Sequence, residues 1–316
     1  MTINVVFMGS PDFAVPCLEA LHEHPDCNVV GVVTQPDKPA GRGRKLTPPP
    51  VAARAHELQL DVYQPPGLRK AGRIDPIIAW KPDIIIVVAY GKILPKELLD
   101  APPRGCVNVH ASLLPRHRGA SPIHQAILQG DNETGVALMQ MDEGLDTGPV
   151  LAEAILPLSQ RERTPEVSEK LSSLGAALLS KNLPALAQGE LKAVTQSESG
   201  ITHAPLIAKR DGFLDPRQTV GFADRQVRAY DPWPGTFMVL QDMRIKVFDI
   251  EIIPGVPTAE LGEVVSVADG KVSVQWSDGI VRLLEIHPAG RKRSTAAAWI
   301  SGRGVAVGDR FSLNAP

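Results

Sequence analysis

Residues 83–89 read DIIIVVA, with five branched aliphatic side chains in unbroken succession from Ile84 to Val88. A half-exposed strand alternates apolar and polar residues, whereas an unbroken β-branched run is covered on both faces. Working outward, the same texture recurs at Asn4–Met8, Asn28–Thr34, Gly135–Met141 and, more briefly, Cys106–His110. Helix-like stretches lie between the runs at Phe13–His22, Val51–Leu58, Ile74–Trp80 and Pro122–Leu128. Strand–helix alternation of this kind predicts an α/β fold, a doubly wound and mostly parallel sheet. Ligands of such sheets sit beyond the carboxyl ends of the strands, so chemistry is sought where these runs stop.

Further along, Thr164–Gln188 carries Val167, Leu171, Leu174, Leu178 and Leu179 at mostly three- to four-residue steps, the signature of an amphipathic helix. The polar stretch LKAVTQSESGITHAPLIAK (191–209) has no period and reads as an extended linker. Beyond it, a helix over Arg217–Tyr230 is stopped by DPWPG (231–235). Short strands are expected at Thr236–Leu240, Arg244–Ile252, Gly262–Val267, Lys271–Trp276 and Ile280–His287, with Asp269-Gly270 and Asp278-Gly279 as turn dipeptides. Five strands in so short a stretch suggest a small antiparallel β-barrel, OB-like among the candidates. The expected division is a sheet domain over 1–189, a linker over 190–208 and the barrel over 209–316.

The chain has 316 residues, 33 basic against 35 acidic, and a net charge of −2. That length suits two domains of about 150 residues each. A hydrophobic share of 43% excludes wholesale disorder. The balanced charge argues against a globally basic nucleic-acid binder but leaves local patches open. Cys17, Cys27 and Cys106 form no CxxC pair, so no metal is expected and the thiols read as free, in a reducing compartment. The start lacks the marks of a secretory leader, and no apolar run approaches the roughly 18–20 residues of a membrane span. A cytoplasmic protein with no membrane contact is expected. Without heptads or a large apolar edge, it is expected to be a monomer with no obligate protein partner.

Two clusters carry candidate chemistry. In NVHASLLPRHRG (108–119), strand alternation puts Asn108 and His110 on one face at a strand end. An asparagine offers a neutral donor to a developing oxyanion, and a histidine accepts a proton near neutral pH. The bland alternative for any histidine is a surface or hydrogen-bonded core residue. The Asn and the Gly/Pro-rich loop behind His110 favour the functional reading. In MDEGLDTGPV (141–150), glycines bracket Asp146, whose carboxylate could orient His110 or handle a proton through water. A plain Asx-turn explains Asp146 equally well, while Asp142 and Glu143 are expected to face solvent. Nothing resembles a dinucleotide-binding GxGxxG, so a nicotinamide cofactor is not supported.

Together the two motifs resemble the formyltransferase family that uses 10-formyltetrahydrofolate, and Asn108, His110 and Asp146 match that family's catalytic triad. The resemblance runs the length of the chain, through VVFMGSPDFAVPCLEAL (5–21), QPDKPAGRGRKLTPPPV (35–51), VVAYGKILP (87–95), HAPLIAKRDG (203–212) and RQVRAYDPWPGTF (225–237). These segments are similar to the members that act on methionyl initiator tRNA. His117, where the family often has Tyr, and Pro216, where it often has Trp, depart from the pattern, and neither is expected to touch the triad. The resemblance implies transfer of a formyl group from the folate to the α-amino group of methionine on initiator tRNA. It also assigns Ser112, Leu113, Leu114 and Pro115 to the folate loop and VAYGKILP, with Tyr90 and Ile93, to the opposite wall. Ile93 and Leu94 are apolar enough for a flat ring, although core packing at a helix start is an equal alternative.

Lys38, Arg42, Arg44 and Lys45 put four cations in eight residues, interrupted by glycines, in what reads as a flexible exposed loop. It matches the inserted loop of the tRNA-acting members, with Arg42 the best single candidate for a phosphate contact. A second cluster, Arg291, Lys292 and Arg293, lies in the barrel. From Lys209 onward there are fourteen basic and thirteen acidic residues, so any tRNA contact there depends on clustering. Trp233, Trp276 and Trp299 could stack bases, with core or turn packing the competing use. Two rivals remain: a formyltransferase acting on a small amine such as a nucleotide precursor or amino sugar, and a tRNA-binding protein without catalysis. A small amine needs neither the cationic loop nor the tail.

Overall fold

A computed structural model describes residues 2–40, 43, 45–302 and 304–315. Two compact units emerge: residues 1–122, 133–157 and 167–205 form the first, and 123–132, 158–166 and 206–316 the second.

The first unit is built on a seven-stranded sheet. Its order is Val150–Pro157, Glu133–Gln140, Cys106–His110, Ile84–Val88, Ile3–Gly9, Cys27–Val33, Val62–Tyr63. The last five pair in parallel, and Glu133–Gln140 pairs antiparallel with both of its neighbours. All of Ile84–Val88 is buried, as its unbroken aliphatic run requires. The chain winds outward from Ile3–Gly9 through Cys27–Val33 to Val62–Tyr63, then crosses back to Ile84–Val88 on the other side. The strand order therefore reverses between the carboxyl ends at Gly9 and Val88, where such sheets open a crevice. Close approach there needs Gly9, since a Cβ would stand 2.8 Å from the Val88 carbonyl oxygen.

The helix Thr164–Gln188 lies against the sheet through Gly175, whose added Cβ would stand 3.1 Å from a Val109 methyl. Val109 thus faces this helix. Alternation turns Asn108 and His110 to the opposite face, where Leu114, Ala137 and Met139 form a small buried cluster. All three cysteines are free, and burial pushes each thiol up to about 12.

Several sequence expectations change here. The strand Val150–Pro157 was not foreseen. The cationic segment is not a shapeless loop, for Lys38–Ala40 and Lys45–Thr47 pair as an antiparallel hairpin. The polar stretch after Gln188 is tied to the sheet unit: Val194 bridges Val150, and His203–Ala204 pairs in parallel with Arg118–Gly119.

In the second unit, five antiparallel strands run in the order Thr236–Leu240, Met243–Pro254, Gly279–Pro288, Lys271–Trp276, Val264–Ala268. Both edges bridge to the final segment, Leu240 to Phe311 and Glu263 to Arg310, which closes the ring. Asp269 and Gly270 both have positive φ, as a two-residue hairpin turn of the primed type demands. Trp276 and Trp299 are buried in this unit's core, while Trp233 is half exposed.

Candidate active site

The strand Cys106–His110 delivers Asn108 half-buried and His110 buried at its carboxyl end. Asn108 pairs with Val87 of the neighbouring parallel strand, so it lies one strand from the reversal point. Among the described residues its amide has no hydrogen-bond partner, leaving a directed donor open.

The His110 ring is anchored at Nε2, 3.1 Å from the His117 carbonyl oxygen. A carbonyl only accepts, so this bond requires the proton on Nε2 and leaves Nδ1 as the free acceptor of the neutral ring. Nδ1 stands 3.8 Å from Asp146 Oδ2. That is within reach of charge attraction but too long for a direct hydrogen bond. The direct hydrogen bond on the ring is the one to the His117 carbonyl, and Asp146 acts on His110 through charge. It follows that His117 touches the triad after all, through its backbone. Burial holds His110 below its ordinary value of 6.5, opposed by the nearby Asp146 charge.

Asp146 sits in the turn after Glu133–Gln140 with a φ of 53°, and its Oδ2 accepts the Gly119 backbone N–H at 2.7 Å. The turn is shaped by Asp142, whose Oδ1 accepts from Gly144 N–H at 3.0 Å and from the Thr147 hydroxyl at 2.7 Å. Gly148 is needed because a Cβ would collide with the Gln140 carbonyl. Asp142 and Glu143 are exposed.

After His110 the chain enters the loop 111–119. Ser112 is fully buried and donates its hydroxyl to the Arg116 carbonyl at 2.6 Å. Leu113 packs over Gly135, whose Cβ would stand 2.5 Å from it. Leu114 is buried and Pro115 half-buried. In the segment after Ile84–Val88, Ile93 is 67% exposed whereas Leu94 is buried, so core packing holds for Leu94 and not for Ile93. The Tyr90 side chain points into the sheet's apolar core with its hydroxyl buried and unpartnered, so burial raises it to about 12. Its carbonyl accepts from Gln35 Nε2 at 2.9 Å, which leaves backbone rather than ring at this wall.

Of the cationic residues, Lys38 donates to Gln35 Oε1 at 2.7 Å, and Lys45 is exposed. Arg42 and Arg44 lie outside the described residues, as does Arg303. In the second unit Arg293 makes a two-point pair with Glu285, at 2.6 and 2.8 Å, and lies 4.0 Å above the Phe248 ring. Arg291 and Lys292 are exposed beside it. Among the described residues, no group of three His, Cys, Asp or Glu side chains is placed to hold a metal ion, and no helix is long and apolar enough to cross a membrane.

Residues 1–183 match the family described as formyl transferase, and residues 206–304 match its C-terminal domain. The chain belongs to the formyl transferase family. Its relatives include the methionyl-tRNA formyltransferase of Halorhodospira halophila, 44% identical over 309 residues, 98% of this chain and 99% of that protein. That of Magnetococcus marinus is 42% identical, with 98% of each chain covered. Among solved structures, the N-formyltransferase of Helicobacter canadensis, in complex with folinic acid and dTDP-3-aminofucose, superposes with a TM-score of 0.64 at 15% identity. It covers 93% of this chain and 100% of that one. HypX of Aquifex aeolicus in complex with tetrahydrofolic acid gives a TM-score of 0.60 at 17% identity, over 97% of this chain and 48% of that protein. At such identities the likeness is one of fold.

Two residues of this neighbourhood escaped the sequence reading: Gln196 and Thr202, both in the polar stretch. The His117 N–H donates to Thr202 Oγ1 at 2.8 Å, and the Arg118 N–H to the Thr202 carbonyl at 2.9 Å. Gln196 is taken up below.

Proposed function

We propose that the chain transfers the formyl group of 10-formyltetrahydrofolate to the α-amino group of methionyl initiator tRNA, giving N-formylmethionyl-tRNA for translation initiation. The observation that carries this reading is full-length similarity, at above 40% identity overall, to proteins named methionyl-tRNA formyltransferases. The roles follow from the site. Amine attack builds negative charge on the formyl oxygen, and Asn108, with its amide unengaged, donates to it. A preorganised donor of this kind contributes about 3–4 kcal/mol. His110, kept neutral by burial, accepts the proton that the attacking amine must lose, at Nδ1. Asp146 sits close enough to steady the charged ring that results. The new C–N bond forms first; as the tetrahedral adduct collapses, the bond to the folate N10 breaks and His110 passes the amine's proton to that nitrogen.

The folate fits between neighbouring strand ends. Exposed Ile93 offers an apolar surface to a flat ring, with the backbone around Tyr90 and the loop of Ser112, Leu113, Leu114 and Pro115 to read its polar edge. The stretch of sequence bearing Lys38, Arg42, Arg44 and Lys45 would meet phosphates near the acceptor end. In the barrel, exposed Arg291 and Lys292 carry the same reading better than Arg293, whose charge is spent on Glu285. We assign catalysis to residues 1–189, tRNA holding to 209–316, and a monomeric cytoplasmic state to the whole.

Labelled 10-formyltetrahydrofolate, incubated with charged initiator tRNA and with glycinamide ribonucleotide as competing acceptor, puts label on the methionine. Label on the small amine alone would overturn the reading in favour of the rival. The Michaelis constant for tRNA rises steeply with salt, and Lys45→Ala lowers the log–log slope by about one unit, as loss of a single phosphate contact does. A constant indifferent to salt would exclude a phosphate-tracking substrate.

A further inference from the structure

We infer that Gln196 is a positioning residue for the catalytic turn, and that the polar stretch carrying it is part of the active-site framework rather than a spacer. The inference rests on the proposed formyl transfer. Gln196 spends its whole carboxamide on the site. Its Nε2 donates to the Asp146 carbonyl at 2.8 Å and to the Gly148 carbonyl at 2.7 Å. Its Oε1 accepts from Arg118 Nε at 3.0 Å and Nη2 at 2.7 Å. An amide has two donors and two acceptor sites, and all four are used.

These bonds close a ring. Arg118 is followed by Gly119, whose N–H binds the Asp146 carboxylate, and the Asp146 carbonyl returns through Gln196 to the Arg118 guanidinium. Asp146 is therefore held at both ends, side chain by Gly119 and backbone by Gln196. Such restraint matters at this position. A φ of 53° is uncommon for a residue with a side chain and persists where its surroundings fix it. The 3.8 Å between Asp146 and His110 depends on that backbone. A charge placed without a direct bond to its partner is free to drift unless something else holds it, and a displacement of about 1 Å costs on the order of a hundredfold in rate.

The test separates positioning from general support. Gln196→Met keeps the length and apolar stem but removes all four bonds. Turnover falls at least tenfold, while the Michaelis constants for folate and tRNA stay within threefold. Arg118→Met cuts the ring from its other side and lowers turnover in the same way. The double variant is no worse than about the worse single one, because both changes break one ring. If Gln196→Met does not yield folded protein, Arg118→Met carries the test alone, with the same expected split. Turnover within twofold of the wild type in the variant tested, losses confined to the Michaelis constants, or additive losses in the double variant would each overturn the inference. A wild-type chain that formylates no acceptor would instead remove the functional reading beneath it.

Discussion

Asn108→Ala lowers turnover at least a hundredfold and leaves thermal stability unchanged. The two halves of that result have one cause. Asn108 projects from a strand whose backbone pairs on both sides, with Val87 and with Met139, so the Cα position does not depend on the side chain. The amide itself is half-buried and engages no partner among the described residues, so its removal breaks no folding contact and leaves no buried group orphaned. What is lost is a donor aimed at charge that exists only during reaction. Removing one such donor costs about 3–4 kcal/mol of transition-state stabilisation, a factor of about a hundred to a thousand. Because the donor acts mainly in the transition state, turnover falls while the Michaelis constants hold. Single-turnover formylation and a thermal melt on the same preparation decide it. A rate within tenfold of normal would take Asn108 out of the catalytic set, and a lowered melting temperature would make it structural.

The fold was legible where one physical demand dominates a segment. The run at 83–89 reads as a buried strand because both faces are covered, and Asp269-Gly270 reads as a hairpin because two positive φ angles are needed there. Val150–Pro157 escaped because it is an edge strand that leaves Ile155 58% exposed, so alternation is blurred where it would have been the signal. The lysines and arginines of 38–45 suggested an open loop, since charge and glycine content say nothing of cross-strand pairing. Asn108, His110 and Asp146 were legible by residue type and by resemblance. Their supports were not. His117 acts through its carbonyl, which any residue possesses, and its side chain gives no hint of it. Gln196 reaches Asp146 across 50 positions by side chain to backbone bonds, a relation without period or motif. Such a partner becomes visible only when the turn carbonyls it satisfies are in place.

Asp146→Asn, which keeps shape and removes charge, lowers turnover at least a hundredfold and moves the acidic limb of the rate profile to lower pH. Opposed influences set the His110 titration: burial lowers it, the Asp146 charge and the hydrogen bond to the His117 carbonyl raise it, and the net result lies below 6.5. With the neutral ring as proton acceptor, the rate is lost as pH falls through the folded value, so the wild-type limb lies below 6.5. Neutralising Asp146 removes the larger raising influence, and the folded value drops further. The plateau falls because the charged ring formed during reaction loses its counter-charge, and general acid–base transfer is typically worth ~10²–10⁴-fold. Stability gives an independent check of sign. A histidine whose folded value is lowered binds its proton more readily when unfolded, so its contribution is intact above 6.5 and erodes as pH falls towards the folded value. In Asp146→Asn the folded value is lower, the window of erosion is wider, and the variant loses more stability than the wild type between neutral and mildly acidic pH. Denaturant unfolding across that range measures it, beside the rate profile. A limb that stays in place while the plateau falls would mean that Asp146 does not act through His110, and a limb that moves to higher pH would reverse the electrostatic assignment of the pair.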